Sequence, residues 1–280
     1  LSNNYLVAKL AGGYIELFRN VPVLLQIFFW YNIFINIFPH PKKSFNFFDM
    51  VFLNQRGLYL PKPILESGFT LVIIAFVVGI ILTIFMKRYF NKKHDETGVY
   101  TRTLGYSTLL IFGLPAIFFL LLGSPLHFDF AVLGKFNLKG GMQIVPEFIA
   151  LTFALSVYTA TYIAEAIRSG IEAVDKGQKE AAAAIGLTQT QSLKLIILPQ
   201  ALRVAIPPTI NQYLNLTKNS SLATAIGYPE LMSAFGGTVL NQVGQAVEIL
   251  GMAMLVYLFI SLCISFLLNV VNKRMAIPER

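Results

Sequence analysis

The chain has 280 residues, 55% of them hydrophobic and only 13% charged, where a soluble domain carries about 25% charged residues. A soluble globular fold is therefore excluded, and apolar runs near the ~20 residues needed to cross a bilayer predict a polytopic helical membrane protein. The +8 charge sits at segment ends rather than in a long patch interleaved with aromatics, which points to membrane topology and against a nucleic-acid partner.

Residue 1 is a leucine in a polar stretch without the charged n-region, short apolar core and cleavage site of a signal peptide. The expectation is a fragment that lacks upstream residues. Six membrane segments are predicted in chain order. Residues 1–38 hold the N-terminal flank and the first segment, Tyr14–Phe38, and residues 39–64 form a polar, proline-containing extracytoplasmic insert. An additional hairpin over 65–122 comprises the segments Leu65–Phe85 and Leu104–Leu122, the latter interrupted by Pro115. Residues 123–146 make a glycine-rich extracytoplasmic loop. A core over 147–271 contains Glu147–Ile167, a cytoplasmic loop over 168–200, Leu202–Ser221 and Ala246–Val271; residues 272–280 are a cytoplasmic tail. Cys263, the single cysteine, lies in the last apolar run and reads as a small packing residue.

Loop charges set the orientation. Lys87–Lys93 with Arg102, the loop residues Arg168, Lys176, Lys179, Lys194 and Arg203, and the tail residues Lys273, Arg274 and Arg280 are expected inside, while 219–245 has no Lys or Arg. The insert opposes this pattern with Lys42, Lys43, Arg56 and Lys62, yet alternation of the other segments places it outside.

The loop over 168–200 carries the sharpest motif, Glu180-Ala181-Ala182, Gly186, Ile196 and Leu198-Pro199. Small residues after a glutamate give a short helix that another protein can approach closely. Gly186 can end that helix in a left-handed turn, and Pro199 marks the start of the next one. This EAA-x3-G-x9-I-x-LP spacing resembles the coupling loop of permease subunits of bacterial ATP-binding-cassette (ABC) importers. A second resemblance lies in Tyr14–Gln26, YIELFRNVPVLLQ, which is similar to a segment of permeases for polar amino acids such as histidine, glutamine, glutamate, arginine and opines. The resemblance is specific over Tyr14–Gln26 and Thr161–Glu230. The extra hairpin is similar to the larger general L-amino-acid subgroup.

The resemblance implies an all-α, type I importer permease fold in the bacterial inner membrane. It also implies partners: two cytoplasmic ABC ATPase subunits, a second permease subunit (a paralogue or an identical copy) and a periplasmic amino-acid-binding protein, with an amino-acid substrate. In such permeases the loop seats on the ATPase and transmits its movement to the membrane pathway.

The fifth segment supplies the candidate path. Asn211, Asn215, Lys218 and Asn219 fall at i, i+4, i+7 and i+8, one face of a helix, with Gln212 and Ser220 beside them. A polar stripe in a membrane helix is costly against lipid, so it faces a partner helix or a water-filled cavity. Lys218 either attracts a substrate carboxylate or marks the outer interface. Two charged pairs spaced three apart, Glu16 with Arg19 and Glu165 with Arg168, read as interfacial ion pairs or gating elements, and Pro22 as a kink or a helix start.

No G-x4-G-K-[ST] phosphate loop is present in the sequence, so ATP hydrolysis is expected from a partner, with no cofactor held by this chain. His40, His94 and His127 are isolated, which gives no metal site, and no catalytic constellation stands out for an intramembrane enzyme. The alternative to an importer subunit is a passive channel or membrane receptor carrying a similar docking loop.

Overall fold

The computed structural model describes residues 4–98, 103–135 and 137–275. Arg102 and residues 276–280, expected on the cytoplasmic side, lie outside them. In chain order the elements are α1 (Tyr5–Asn20), α2 (Val23–Asn36), β1 (Phe45–Phe47), β2 (Val51–Asn54), β3 (Gly57–Leu60), β4 (Lys62–Leu65), α3 (Phe69–Thr97) and α4 (Leu104–Leu121). There follow β5 (Leu126–Asp129), β6 (Val132–Leu133), β7 (Leu138–Lys139), β8 (Met142–Ile144), α5 (Pro146–Glu172), α6 (Lys176–Ala184), α7 (Gln189–Ile226), α8 (231–243) and α9 (Ala246–Met275). Among the described residues, α3, α4, α5, α7 and the apolar part of α9 are each long and apolar enough to cross a membrane. Counted together as one broken span, the bent pair α1–α2 brings the number to six.

Two compact units emerge. The first comprises Leu1–His40, Asn54–Gly57 and Ile144–Arg280; the second comprises Pro41–Leu53 and Leu58–Gln143.

In the first unit, the expected single span Tyr14–Phe38 is instead two helices meeting at 103°. The break has a local cause. Pro22 has no N–H, so the carbonyl of Phe18 loses the donor four residues on. Gln26, only 4% exposed, supplies it: its Nε2 donates to Phe18 O at 2.7 Å and to Val21 O at 2.9 Å. Tyr14 and Tyr162 then join α1 to α5, donating to Val157 O at 3.0 Å and to Arg19 O at 3.5 Å. Tyr31 on α2 donates to Glu147 near the start of α5 at 3.0 Å. Beneath these bonds Ile27, Leu151, Ala154, Leu155, Ala223 and Ile226 form the core, with Trp30 edge-on to Phe153.

The α5–α7 contact is closer than large side chains allow. A Cβ on Gly170 would stand 2.5 Å from Ala201 O and 3.0 Å from the Ala205 Cβ. Small residues let membrane helices approach to backbone contact, where dispersion replaces the missing hydrophobic drive.

In the second unit α3 and α4 form a hairpin. Ala75, Gly79 and Thr83, spaced by four, are buried, and a Cβ on Gly79 would lie 2.3 Å from Leu110 O. α3 continues through Thr97, so Lys87, Arg88, Lys92 and Lys93 lie on the helix rather than in a loop. The stretches read as loops contain strands. One sheet has the order β1-β2-β3-β8, and β4–β5 and β6–β7 are antiparallel pairs. Tyr59, Ala131 and Leu138 pack at their centre.

Candidate functional site

The loop between α5 and α7 is built from paired caps. Asp175 Oδ1 accepts from Gly177 N at 2.6 Å and starts α6. At its end Leu187 N donates to Ala182 O at 3.1 Å and Gly186 N to Ala183 O at 3.0 Å, with Gly186 at φ +77°. This is a Schellman motif, and a left-handed residue is what closes it. Two residues later Thr188 and Gln191 form a capping box: Gln191 N donates to Thr188 Oγ1 at 3.3 Å and Thr188 N to Gln191 Oε1 at 2.9 Å.

The next helix therefore begins at Gln189, ten residues before Pro199, and not at Pro199 as the sequence reading holds. A π turn over Leu193–Ile197, in which Leu198 N reaches back to Leu193 O, precedes the proline. Widening the helix there accommodates a residue that lacks an N–H and crowds the preceding carbonyl. α4 uses the same device, with a π turn over Leu109–Gly113 just before Leu114-Pro115.

Caps and proline together fix a knuckle with two faces. Ala182 is 1% exposed, and α6 packs on the π turn. Ile197, Val174 and Ala201 form a small core with Ile171 where the two legs of the loop converge. Glu180, Ala181 and Gly186 point outward with Leu198, while Ile196 and Pro199 are half-buried. Ile185 (74% exposed), Leu193 and Leu195 extend the outward face. The motif omits these three, whose apolar type beside a helix end was the available signal. An exposed apolar patch of this kind marks a surface for protein or membrane contact.

The two charged pairs part ways: the expected Glu165–Arg168 ion pair is present, with Glu172 as a second partner. Arg168 Nε bonds Glu172 at 3.0 Å, and its Nη1 stands 3.9 Å from Glu165. The i,i+4 partner Glu172 therefore dominates, although an exposed pair contributes only about 0–1 kcal/mol. Among the described residues no ion pair within 4.0 Å joins Glu16 to Arg19. Glu16 is exposed and Arg19 half-buried. Arg19 instead lines a cleft of about 550 Å³ with Glu165, Tyr162, Ser169, Val204 and Pro208, which brings two separately predicted residues together. Pro22 is exposed at the α1–α2 bend.

Along α7, Asn211, Asn215 and Lys218 share an exposed face, with Gln212, Asn219 and Ser220 half-buried beside it. Ser220 spends its hydroxyl proton on Thr217 O at 2.7 Å, so it offers only its lone pairs to a ligand. Cys263 is exposed on α9 rather than packed.

The sequence reading passed over Glu230, in a stretch taken as a plain outside loop. Its carboxylate accepts from Thr224 Oγ1, from Met232 N at 2.8 Å, from Ser233 N at 2.7 Å and from Tyr257 OH at 2.8 Å. It thereby caps α8 and ties it to α9; the signal was an acidic residue just before a helical run, in Tyr228-Pro229-Glu230. Burial, the largest single influence, opposes its charge, but the four hydrogen bonds outweigh burial and hold the carboxyl below its ordinary value. A depressed folded value means stabilisation that is present above the unfolded pKa of about 4.3 and lost as pH falls through the folded one. Glu230→Gln is expected to lower the Tm most at pH 7, with the gap to wild type closing below about pH 4. Thermal unfolding in detergent at both pH values checks this, and a gap that ignores pH would show that charge is not its source.

Spanning helices, a capped loop with an outward apolar face and a polar helix face describe a polytopic membrane protein. Residues 98–277 match the family model described as "Binding-protein-dependent transport system inner membrane component". The chain belongs to this family, and is thus a multi-pass inner-membrane protein of bacterial ABC importers. It is 53% identical to YhdX of Escherichia coli (strain K12), covering 100% of this chain and 71% of that one. It is 49% identical to the general L-amino acid transport system permease protein AapQ of Rhizobium johnstonii, covering 100% and 70%. The glutamate/glutamine/aspartate/asparagine transport system permease protein BztB of Rhodobacter capsulatus is 39% identical, with 100% and 72% covered.

Proposed function

We propose that this chain forms the translocation path of an ATP-driven amino-acid importer, beside a second permease subunit. Two cytoplasmic ATPase subunits dock on the knuckles, and a periplasmic binding protein delivers the substrate. The carrying observation is the outward face of the knuckle, with Glu180 and Ala181 held in place by a buried Ala182 and a left-handed Gly186. The amino-acid cargo is supported by the names of AapQ and BztB and by the polar face Asn211, Asn215 and Lys218. Asn211, Gln212, Asn215, Lys218, Asn219 and Ser220 line the path in this reading. A cytoplasmic position of the knuckle is supported by its basic residues Arg168, Lys176, Lys179 and Lys194. ATP binding favours one arrangement of the knuckles over the other, and that difference moves the helices.

The test is ATP-dependent uptake of labelled L-glutamate and L-glutamine by the reconstituted complex. Gly186→Trp forces a side chain into a conformation costing about 1–2 kcal/mol, and Glu180→Lys reverses the charge on the docking face. Both are expected to lose co-purifying ATPase and at least tenfold in uptake. Unchanged association and uptake in both variants would sink the reading.

A further inference from the structure

The cleft between α1, α5 and α7 holds two opposite charges that do not neutralise each other. Arg19 comes from the end of α1, Glu165 and Ser169 from α5, and Val204 and Pro208 from α7. Arg19 and Glu165 line one space of about 550 Å³, yet among the described residues no ion pair within 4.0 Å joins them. Among the described residues Glu165 has only the 3.9 Å approach of Arg168, which is better bonded to Glu172. Arg19 and Glu165 are both only half-buried, so each keeps a side open to a ligand that could pair with it. The volume is that of a small-molecule site, about 300–1,000 Å³.

Other polar groups converge there. Pro208 has no N–H to offer the carbonyl of Val204, four residues back, so an acceptor is freed where both residues line the cleft. The Tyr162 hydroxyl, bonded to Arg19 O and to the Tyr158 hydroxyl, lines the cleft beside the exposed Ser169, which adds a donor and acceptor. Asn211 lies three residues beyond Pro208, about 4.5 Å along the helix. The cleft therefore adjoins the polar face of α7 on the side toward the knuckle.

We infer that this cleft is a binding station for a zwitterionic amino acid, with Arg19 holding the α-carboxylate and Glu165 the α-ammonium. This rests on the amino-acid cargo proposed above and adds a place where the substrate pauses between the polar face of α7 and the knuckle side. Arg suits the carboxylate because its planar fork can make two parallel bonds. Glu165, and the freed carbonyl of Val204, accept from the ammonium. Recognition of the two backbone charges leaves the side chain free, which suits a cargo of several amino acids.

The test uses the assembled complex in nanodiscs without phosphatidylethanolamine, whose headgroup carries the same two charges. Binding of labelled L-glutamine is measured without nucleotide, in competition with L-glutamine α-amide, which lacks the carboxylate, and N-acetyl-L-glutamine, which lacks the ammonium. Wild type is expected to reject both analogues by more than tenfold. Arg19→Gln should weaken L-glutamine binding about tenfold and abolish rejection of the α-amide alone. Glu165→Gln should abolish rejection of the N-acetyl analogue alone. Should either charge variant fail to assemble, Ala166→Leu, which narrows the cleft without altering charge, is expected to weaken L-glutamine binding. Wild-type affinity and selectivity in all variants that assemble would overturn the inference, as would displacement of L-glutamine by added phosphatidylethanolamine. ATP-driven uptake by wild type separates the two levels. Uptake with no effect of these variants removes the cleft alone, whereas no uptake of any amino acid removes the cargo on which it rests.

Discussion

Replacing Gly170 with leucine is expected to abolish coupling between ATP hydrolysis and transport. The position where its Cβ would stand is 2.5 Å from the carbonyl oxygen of Ala201. That oxygen belongs to a helix backbone and cannot swing aside as a side-chain tip would, so α5 and α7 must separate. Overpacking of this kind costs about 1–3 kcal/mol. The consequence is larger than the energy because of where the contact lies. Gly170 is two residues from the end of α5, and Ala201 is two residues past Pro199. Their contact, with Val174 and Ile197 beside it, binds the two legs of the knuckle into one body. In the docking proposed above, a knuckle pulled apart still offers Glu180 and Ile185 to an ATPase but no longer drives α7. Gly170→Leu should therefore keep ATPase association while uptake falls more than tenfold. Gly170→Ala is the milder version, and adding Ala205→Gly to it should recover part of the loss, since the second contact is the Ala205 Cβ at 3.0 Å. Uptake at wild-type level in Gly170→Leu would show that the close approach carries no coupling.

The spanning helices were legible because the bilayer enforces a length of about 20 apolar residues that composition displays directly. Helix ends were not, since the apolar run ends with the hydrocarbon while backbone hydrogen bonding continues. α3 proceeds past Phe85 through Lys87, Arg88, Lys92 and Lys93 to Thr97, residues that helices tolerate well. Pro199 misled for a related reason: a proline argues for a helix start unless a π turn precedes it, and π turns leave no composition signal. The strands β1 to β8 span two to four residues each, too few for alternation to register. Local geometry in the loop over 168–200 was partly legible, because Gly186, at φ +77°, and the buried Ala182 fall at positions that the motif spacing fixes. Glu230 and Tyr257, 27 residues apart, meet only through the fold. So do Arg19 and Glu165: each sits in a readable motif, but only the crossing of α1 over α5 places them in one cleft.

Gln26→Leu is expected to undo the 103° bend between α1 and α2. Leucine has similar volume but no donor, so the carbonyls of Phe18 and Val21 lose the bonds at 2.7 and 2.9 Å. A buried polar group left without its partner costs about 1–3 kcal/mol. Hydrocarbon surroundings provide no water to take its place. Gln26→Glu is the sharper variant, because a carboxylate facing the two carbonyl oxygens of Phe18 and Val21 repels both. Spin labels at exposed Leu10 and Phe29, on either side of the bend, report the angle through their separation. A longer separation with lower thermal stability is expected in Gln26→Leu, together with loss of uptake, since α1 also carries Arg19. An unchanged separation and Tm would mean that Pro22 alone sets the bend and that the amide is incidental to it.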